Sequence, residues 1–172
     1  DMLYASSADG FLVGSDRGEV WRTISPAPLF LCLQTDPFDA SVLYGGSVNQ
    51  GVFKTEDAGA RWLHRQHGML ANTVYATAVS PADPSLIACA TLAGLFINRS
   101  GGWLCVNERS SYAVAWHPHN SAVIYAGFDN MIGKSTDSGV TWRYATVGDP
   151  QSSHDITAIA IPPDNAATLF AA

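Results

Sequence analysis

Two aspartates are the residues of this sequence best suited to acid–base chemistry. Asp129 follows the apolar run 123–128, and Asp155 precedes the apolar run 156–161. Two facing carboxylates could act as general acid and base, or as acid and nucleophile, in the hydrolysis of a glycosidic bond. Nothing in the sequence brings the two side chains to a defined separation, so they are candidate ligand-binding residues and no catalytic residue is assigned.

Three basic or imidazole side chains complete the candidate set: His67, Arg109 and His154. They lie in polar segments between apolar runs, where loops commonly carry binding residues. The alternative is that all five candidates are ordinary solvated loop side chains. His117 and His119 could serve as metal ligands, but no third ligand accompanies them at a defined spacing, so no metal site is predicted.

The composition limits the classes of function. Of 172 residues, 47% are apolar and 14% are charged, which is typical of a folded chain with a real core. The net charge of −6 argues against nucleic acid and against an anionic membrane surface as partners. No phosphate-binding loop or nucleophile motif occurs, so no cofactor is expected. No apolar run is long enough to cross a membrane, and a leader or further domain before Asp1 stays an open alternative.

The elements that position these residues follow a repeat. Four tryptophans, at positions 21, 62, 103 and 142, are spaced 41, 41 and 39 residues apart. Turn prolines at positions 37, 81, 118 and 163 each precede by seven residues the end of a short apolar run. Four short strands in every period of about 40 residues, separated by turn residues, are typical of a propeller blade.

The sequence therefore predicts an all-β propeller of four-stranded antiparallel blades, with about four repeats and almost no helix. The first strand of each blade is expected nearest the axis and packed on both faces. The predicted blades span 28–68, 72–108 and 110–148, with a further blade divided between 1–26 and 152–172. Either these ends complete a small ring, or the chain is part of a larger propeller.

The turn before each tryptophan carries the most specific pattern. The segments 55–62 and 135–142 match Ser/Thr-x-Asp-x-Gly-x-x-Trp, the Asp-box pattern. The copy at 14–21 lacks the hydroxyl residue, and the copy before Trp103 is degenerate. The Asp can accept main-chain N–H groups, the Gly supplies a positive φ, and the Trp covers the hairpin. The predicted structural residues are Asp16, Gly18, Trp21, Thr55, Asp57, Gly59, Trp62, Trp103, Ser135, Asp137, Gly139 and Trp142.

On these residues the chain resembles the Asp-box (BNR, sialidase-type) repeat propellers. The stretches 51–59 and 79–85 are similar to repeats of xyloglucan-active glycosidases, sortilin-type receptor domains and photosystem-assembly propellers. The resemblance implies a ligand face where the loops between second and third strands meet the loops between blades. The arginine triad and the Phe/Tyr-Arg-Ile-Pro signature of sialidases are not recognised in this sequence.

Two functions follow as hypotheses. The first is a non-catalytic binding or assembly module, extracellular or periplasmic, which holds a protein or glycan partner and belongs to a larger propeller or complex. It has no nucleic-acid partner and does not insert into a membrane. The second is a fragment of a propeller glycoside hydrolase that acts on polysaccharide. Paired carboxylates on the ligand face would favour the second hypothesis.

Overall fold

The structure is a computed structural model that describes residues 2–24, 27–99, 101–148 and 154–172. These residues form β-strands, turns and one short 3₁₀ turn at Asp16–Gly18, with no α-helix among them. The predicted all-β architecture of four-stranded antiparallel sheets is confirmed.

The strands follow one another in the chain as β1 (Leu3–Ser7), β2 (Gly10–Ser15), β3 (Val20–Ile24), β4 (Phe30–Thr35), β5 (Leu43–Ser47), β6 (Val52–Thr55), β7 (Leu63–His64), β8 (Val74–Val79), β9 (Ile87–Thr91), β10 (Gly94–Arg99), β11 (Gly102–Asn107), β12 (Ala113–His117), β13 (Asn120–Phe128), β14 (Met131–Ser135), β15 (Arg143–Thr146), β16 (Ile159–Ala160) and β17 (Phe170–Ala171). Strands β1–β3 form a three-stranded sheet, β4–β7, β8–β11 and β12–β15 form four-stranded sheets, and β16–β17 form a two-stranded sheet. In every sheet the neighbouring strands are consecutive in the chain and antiparallel.

The five sheets are arranged side by side through their first strands. Strand β4 contacts β8, β8 contacts β12, and β12 contacts β16, while β1 contacts β4. Three apolar clusters fill the spaces between successive sheets. This order, with each sheet packed on the next, is the arrangement of blades around a propeller axis.

In the second and third sheets the most buried strand is the second, which corrects the expectation for the first, whereas β13 of the fourth sheet is exposed or half-buried over its first residues. All five residues of β5 and of β9 are buried, whereas β4 and β12 each contain half-buried or exposed residues. A second strand has a hydrogen-bonded strand on either side and a neighbouring sheet on each face. A first strand has a partner in its own sheet on one side alone.

The two ends of the chain do not share a hydrogen-bonded blade in the described residues. Strand β17 pairs with β16, and these strands form a sheet separate from β1–β3. The reason lies in the repeat: β1 and β17 are equivalent second strands, and β17 already occupies the position beside β16. The blade predicted from 1–26 and 152–172 stays a prediction.

Tryptophan indoles bind successive sheets together. Trp103 Nε1 donates to the carbonyl of Arg65 at 2.7 Å, and Trp142 Nε1 donates to the carbonyl of Val106 at 3.1 Å. Trp116, which lies outside the regular tryptophan series, donates to Ala78 O at 3.1 Å. Trp142 Nε1 also donates to Gly139 O of its own turn at 3.1 Å. Each of the three indoles thus has an acceptor in the preceding sheet, which satisfies the indole N–H and helps to fix the spacing of the sheets.

The turn at 135–142 is held by its own side chains. Ser135 Oγ donates to Asp137 Oδ1 at 2.7 Å and accepts the N–H of Gly139 at 2.8 Å. Asp137 Oδ1 also accepts the N–H of Thr141 at 2.8 Å. The turn at 55–62 repeats this network, with the Thr55 hydroxyl 2.7 Å from the Asp57 carboxylate. Both turns pass through two successive positive φ angles, the second at glycine.

The other two copies of the turn differ, as their sequences predict. At Asp16–Gly18 the chain forms a 3₁₀ turn, and Trp21 Nε1 donates to Gly18 O within the same turn at 2.8 Å. Before Trp103 the long turn is replaced by a tight hairpin in which Arg99 pairs with Gly102. Trp103 consequently lies inside β11 and is only 7% exposed.

The three cysteines are free thiols that differ in burial. Cys89 is buried in β9 and Cys32 is half-buried in β4. Cys105 is exposed, because β11 is the last strand of its sheet and has a neighbouring strand on one side alone.

The indole bonds predict unequal costs for truncating the tryptophans. Trp142→Ala should lower the free energy of unfolding by about 3–5 kcal/mol, because it removes a large side chain packed between two sheets. Trp21→Ala should cost clearly less, since that side chain is 44% exposed. Urea denaturation of the two variants measures the difference. Equal effects of both changes would contradict the proposed stacking of the sheets.

The network around Asp137 predicts a loss of stability in acid. Hydrogen bonds from the Thr141 hydroxyl, the Thr141 N–H and the Ser135 hydroxyl lower the pKa of Asp137 from its ordinary value of 3.8 to about 2. The folded chain therefore favours the carboxylate, and this stabilisation is complete above the ordinary value and lost as pH falls towards 2. The melting temperature of the native protein should fall more steeply between pH 4 and 2 than that of Asp137→Asn. Asp9→Asn, on an exposed loop, is the matched control and should follow the native profile.

Candidate functional site

One face of the stacked sheets is built where the loop after a second strand meets the start of the next sheet. The N–H of Gly51 donates to Asn72 O at 2.6 Å, and the N–H of Ser111 donates to Thr91 O at 2.9 Å. The N–H of Ile156 donates to Phe128 O at 3.1 Å in the same way. Residues from two different sheets are therefore brought together at each boundary along this face.

Asp129 and Asp155 meet at one of these boundaries as an isolated antiparallel bridge. The flanking bonds run from Asn130 N to His154 O at 2.9 Å and from Ile156 N to Phe128 O at 3.1 Å. This pattern makes the two aspartates a pair without direct hydrogen bonds between their main chains. In such a pair the side chains project from the same side, with Cβ atoms about 4.5–5.5 Å apart.

Local sequence explains why the chain can approach itself so closely here. A Cβ atom at Gly127 would lie 2.4 Å from the carbonyl oxygen of Ile156, so this position requires glycine. Asn130 adopts φ 52°, a left-handed conformation that asparagine tolerates. Its Oδ1 accepts the N–H of His154 at 2.7 Å. Gly127 and Asn130 thus fix the segment that presents Asp155 beside Asp129.

Two tyrosines complete the site. The ring centroids of Tyr75 and Tyr112 lie 5.6 Å apart, and both side chains are half-buried. The pKa of the Tyr112 phenol is raised, first by burial and then by the charge of Asp155 and a hydrogen bond to it, with smaller effects of Tyr75 and Asp129. We name Tyr75, Tyr112, Asp129 and Asp155 the carboxylate–tyrosine site.

The direction of each tyrosine side chain is set where the first strand of its sheet begins. The pairing of β8 with β9 shifts between Val74 and Ala76, so Tyr75 is the extra residue of a β-bulge, a feature that redirects a side chain. The N–H of Tyr112 donates to Gly127 O at 3.0 Å just before β12 begins. Both tyrosines stand six residues before a turn proline, Pro81 or Pro118. That shared repeat position is the sequence signal that could have identified them.

The structure brings together three of the five residues predicted to bind a ligand. His154 joins Asp129 and Asp155, but it does so through its main-chain N–H and C=O groups. Arg109 lies elsewhere, with its guanidinium 5.3 Å from the ring centre of Tyr144. His67 is also elsewhere, and its carbonyl accepts the N–H of Trp103 at 3.1 Å.

The arrangement favours recognition of hydrogen-bond donors. The carboxyl oxygens of the two aspartates offer acceptors to hydroxyl or amide groups, and the tyrosine rings offer apolar area next to them. The carboxylates are exposed, so a ligand can reach them. No group of three His, Cys, Asp or Glu side chains that could hold a metal ion occurs within the described ranges.

Comparison with solved structures establishes the propeller fold. The GH74 enzyme of Niastella koreensis matches 99% of this chain with a TM-score of 0.83 and 15% identity, over 33% of its own length. The GH74 xyloglucanase of Xanthomonas campestris matches 99% of the chain with a TM-score of 0.80 and 15% identity, also over 33% of its length. The extracellular domain of a one-component system protein of B. thetaiotaomicron matches 99% with a TM-score of 0.78 and 14% identity, over 24% of its length.

This chain is therefore similar in fold to β-propellers and spans about a quarter to a third of these larger proteins. No protein-family model matches the sequence, and no curated protein matches it either. None of the helical structure in the described residues is long and apolar enough to cross a membrane.

The contact between Tyr112 and Asp155 predicts a change in phenol ionisation. Asp155→Asn should lower the pKa of Tyr112 because it removes a nearby negative charge, while the larger effect of burial remains. The difference between ultraviolet titrations of each protein and its Tyr112→Phe derivative isolates this one phenol. Asp9→Asn is the control of equal charge change and should leave the titration of Tyr112 where it is. An unchanged Tyr112 in Asp155→Asn would show that the two groups do not interact.

Proposed function

We propose that this chain is part of an Asp-box repeat propeller that binds a glycan, without hydrolysing it, at the carboxylate–tyrosine site. The observation that carries the proposal is the pairing of Asp129 with Asp155 beside the Tyr75–Tyr112 ring pair. Sugars combine hydroxyl donors with apolar C–H faces. A site with exposed carboxylates and half-buried aromatic rings meets both requirements.

The Asp-box part of the proposal is supported by the hydrogen bonds of the two complete turns. In both turns a Ser or Thr hydroxyl donates to the Asp and accepts the N–H of the Gly. These bonds give the Ser/Thr, Asp and Gly positions of the pattern a defined structural role. The Asp-box aspartates are thereby engaged in their own turns, which leaves recognition to the carboxylates of the opposite loops.

We further propose an extracellular or periplasmic location, as for the one neighbour described as an extracellular domain. A protein partner that offers hydroxyl or amide donors is the alternative occupant.

A second candidate function is glycoside hydrolysis, as part of a larger enzyme. It is favoured by one observation, the short separation expected between Asp129 and Asp155. Retaining glycosidases hold their two carboxyl groups about 5–5.5 Å apart, whereas inverting enzymes hold them about 6.5–9.5 Å apart. The neighbours described as GH74 enzymes include a xyloglucanase, so xyloglucan is the first polysaccharide to test.

Calorimetric titration of the intact protein with neutral oligosaccharides, xyloglucan fragments included, tests the proposal. We expect a glycan to bind, and Asp155→Asn and Tyr112→Ala each to weaken binding by about tenfold or more, because each removes a hydrogen-bonding or packing group. Asp9→Asn should bind like the native protein. Release of reducing ends, measured on the same samples, separates the two candidate functions.

Each outcome decides one point. Binding without new reducing ends supports the binding module. Hydrolysis that is lost in both Asp129→Asn and Asp155→Asn supports the enzyme and overturns the non-catalytic proposal. Binding that is unaffected by Asp155→Asn and Tyr112→Ala places the ligand elsewhere on the propeller and contradicts the assignment of the site.

A further inference from the structure

A pocket of about 320 Å³ lies between the second and third sheets, away from the carboxylate–tyrosine site. One wall comes from β5, β6 and the segment after β7, and the other comes from β9, β10 and β11. The described residues that line it are Tyr44, Lys54, His64, Arg65, Gln66, His67, Ser85, Ile87, Asn98, Gly101 and Trp103. This volume is at the lower end of the range of about 300–1,000 Å³ for small-molecule sites.

The pocket exists where the third sheet lacks the long turn of its neighbours. In the second sheet the N–H of Ala58 donates to Ser41 O at 2.9 Å, and in the fourth the N–H of Ser138 donates to Ala122 O at 2.8 Å. These bonds join the turn to the chain that follows the turn proline, just before or at the start of the second strand. The equivalent residue of the third sheet is Ser85, four residues after its turn proline, and it lines the pocket instead.

The charge of the lining is positive, in a protein with a net charge of −6. Lys54 and Arg65 line the pocket, and no Asp or Glu appears among its described lining residues. Lys54 Nζ lies 2.7 Å from a carboxylate oxygen of Glu56, which is not among the lining residues, and 5.6 Å from the ring centre of Tyr44. Lys54 is therefore already ion-paired, and the guanidinium of Arg65 adds a positive charge that this pair does not neutralise.

The main chain around Arg65 is rigidly placed. Its N–H donates to Val52 O at 2.8 Å, and its carbonyl accepts the indole N–H of Trp103 at 2.7 Å. His64, the residue before Arg65, donates from Nε2 to Gln50 O at 2.7 Å, which fixes its imidazole ring. Because these bonds use the main chain of Arg65, its guanidinium can engage a ligand without disturbing them. A guanidinium matches the two oxygens of a carboxylate.

We propose that this pocket binds a sugar acid, with the carboxylate at Arg65 and Lys54 and the hydroxyls at the polar groups of Ser85, Asn98 and Tyr44. The small volume suits a single acidic sugar residue, and the lining alternates cations with hydroxyl and amide groups as such a ligand requires. The inference does not depend on the carboxylate–tyrosine site, which lacks cationic side chains among its four members and should prefer neutral sugars.

Calorimetric titration of the intact protein with glucuronate and galacturonate tests the inference, with glucose, galactose and inorganic phosphate as comparison ligands. We expect at least one uronate to bind about tenfold or more tightly than its neutral sugar, because the carboxylate adds charge-assisted hydrogen bonds. Arg65→Gln should weaken uronate binding about tenfold or more. Arg143→Gln removes the same charge from an exposed position of β15 and should bind uronate like the native protein.

The alternatives are distinguishable. Equal affinity for uronate and neutral sugar, or equal effects of Arg65→Gln and Arg143→Gln, would overturn the inference. Phosphate bound more tightly than either uronate would also overturn it, in favour of a phosphate site. A second variant, Lys54→Gln, keeps the test informative if Arg65→Gln lowers the melting temperature, since it removes the other cation of the proposed carboxylate contact and should also weaken uronate binding. Uronate binding that is insensitive to both variants would place that ligand outside the pocket.

Discussion

The fold depends on the contact between successive sheets, because no sheet of this chain can bury its faces alone. The indoles of Trp103, Trp116 and Trp142 each donate to a carbonyl of the preceding sheet. Each indole buries a large apolar area, and its hydrogen bond defines the distance between the two sheets. The complete burial of β5 and β9 follows, since a second strand is enclosed only when a sheet lies on either face. In repeat proteins generally, the stability of each unit depends on its contacts with the neighbouring units.

The same contact creates the candidate sites, which belong to boundaries between sheets and not to single sheets. Asp129 directly follows the second strand of one sheet, and Asp155 lies before the first strand of the next. Their juxtaposition requires Gly127, where a side chain would meet the Ile156 carbonyl. The pocket around Arg65 is likewise formed by two sheets. A variant that altered the spacing of the sheets would therefore change both sites without touching a lining residue.

The sequence repeat predicts the fold well because every blade must bury apolar residues at equivalent repeat positions. The tryptophan spacing and the turn prolines led directly to the four-stranded sheets that the structure contains. The repeat does not predict structural features that arise at a single residue. The bulge that redirects Tyr75 depends on a register shift between β8 and β9, which periodicity does not encode. Arg109, His67 and Asp155 are all polar loop residues, and the sequence therefore places them in one candidate set. Loop polarity does not specify at which boundary between sheets each residue lies.

The degenerate third turn shows how loss of a structural motif can leave a cavity without loss of the blade. An Asp-box turn lays its main chain over the adjacent loop, as the bond from Ala58 to Ser41 illustrates. The short hairpin before Trp103 cannot reach Ser85 in this way, yet Trp103 is buried and bonded to the preceding sheet. The indole therefore preserves the contact between sheets while the missing turn exposes polar and cationic groups. At this boundary the contact between sheets depends on the tryptophan, whereas access to the pocket depends on the turn.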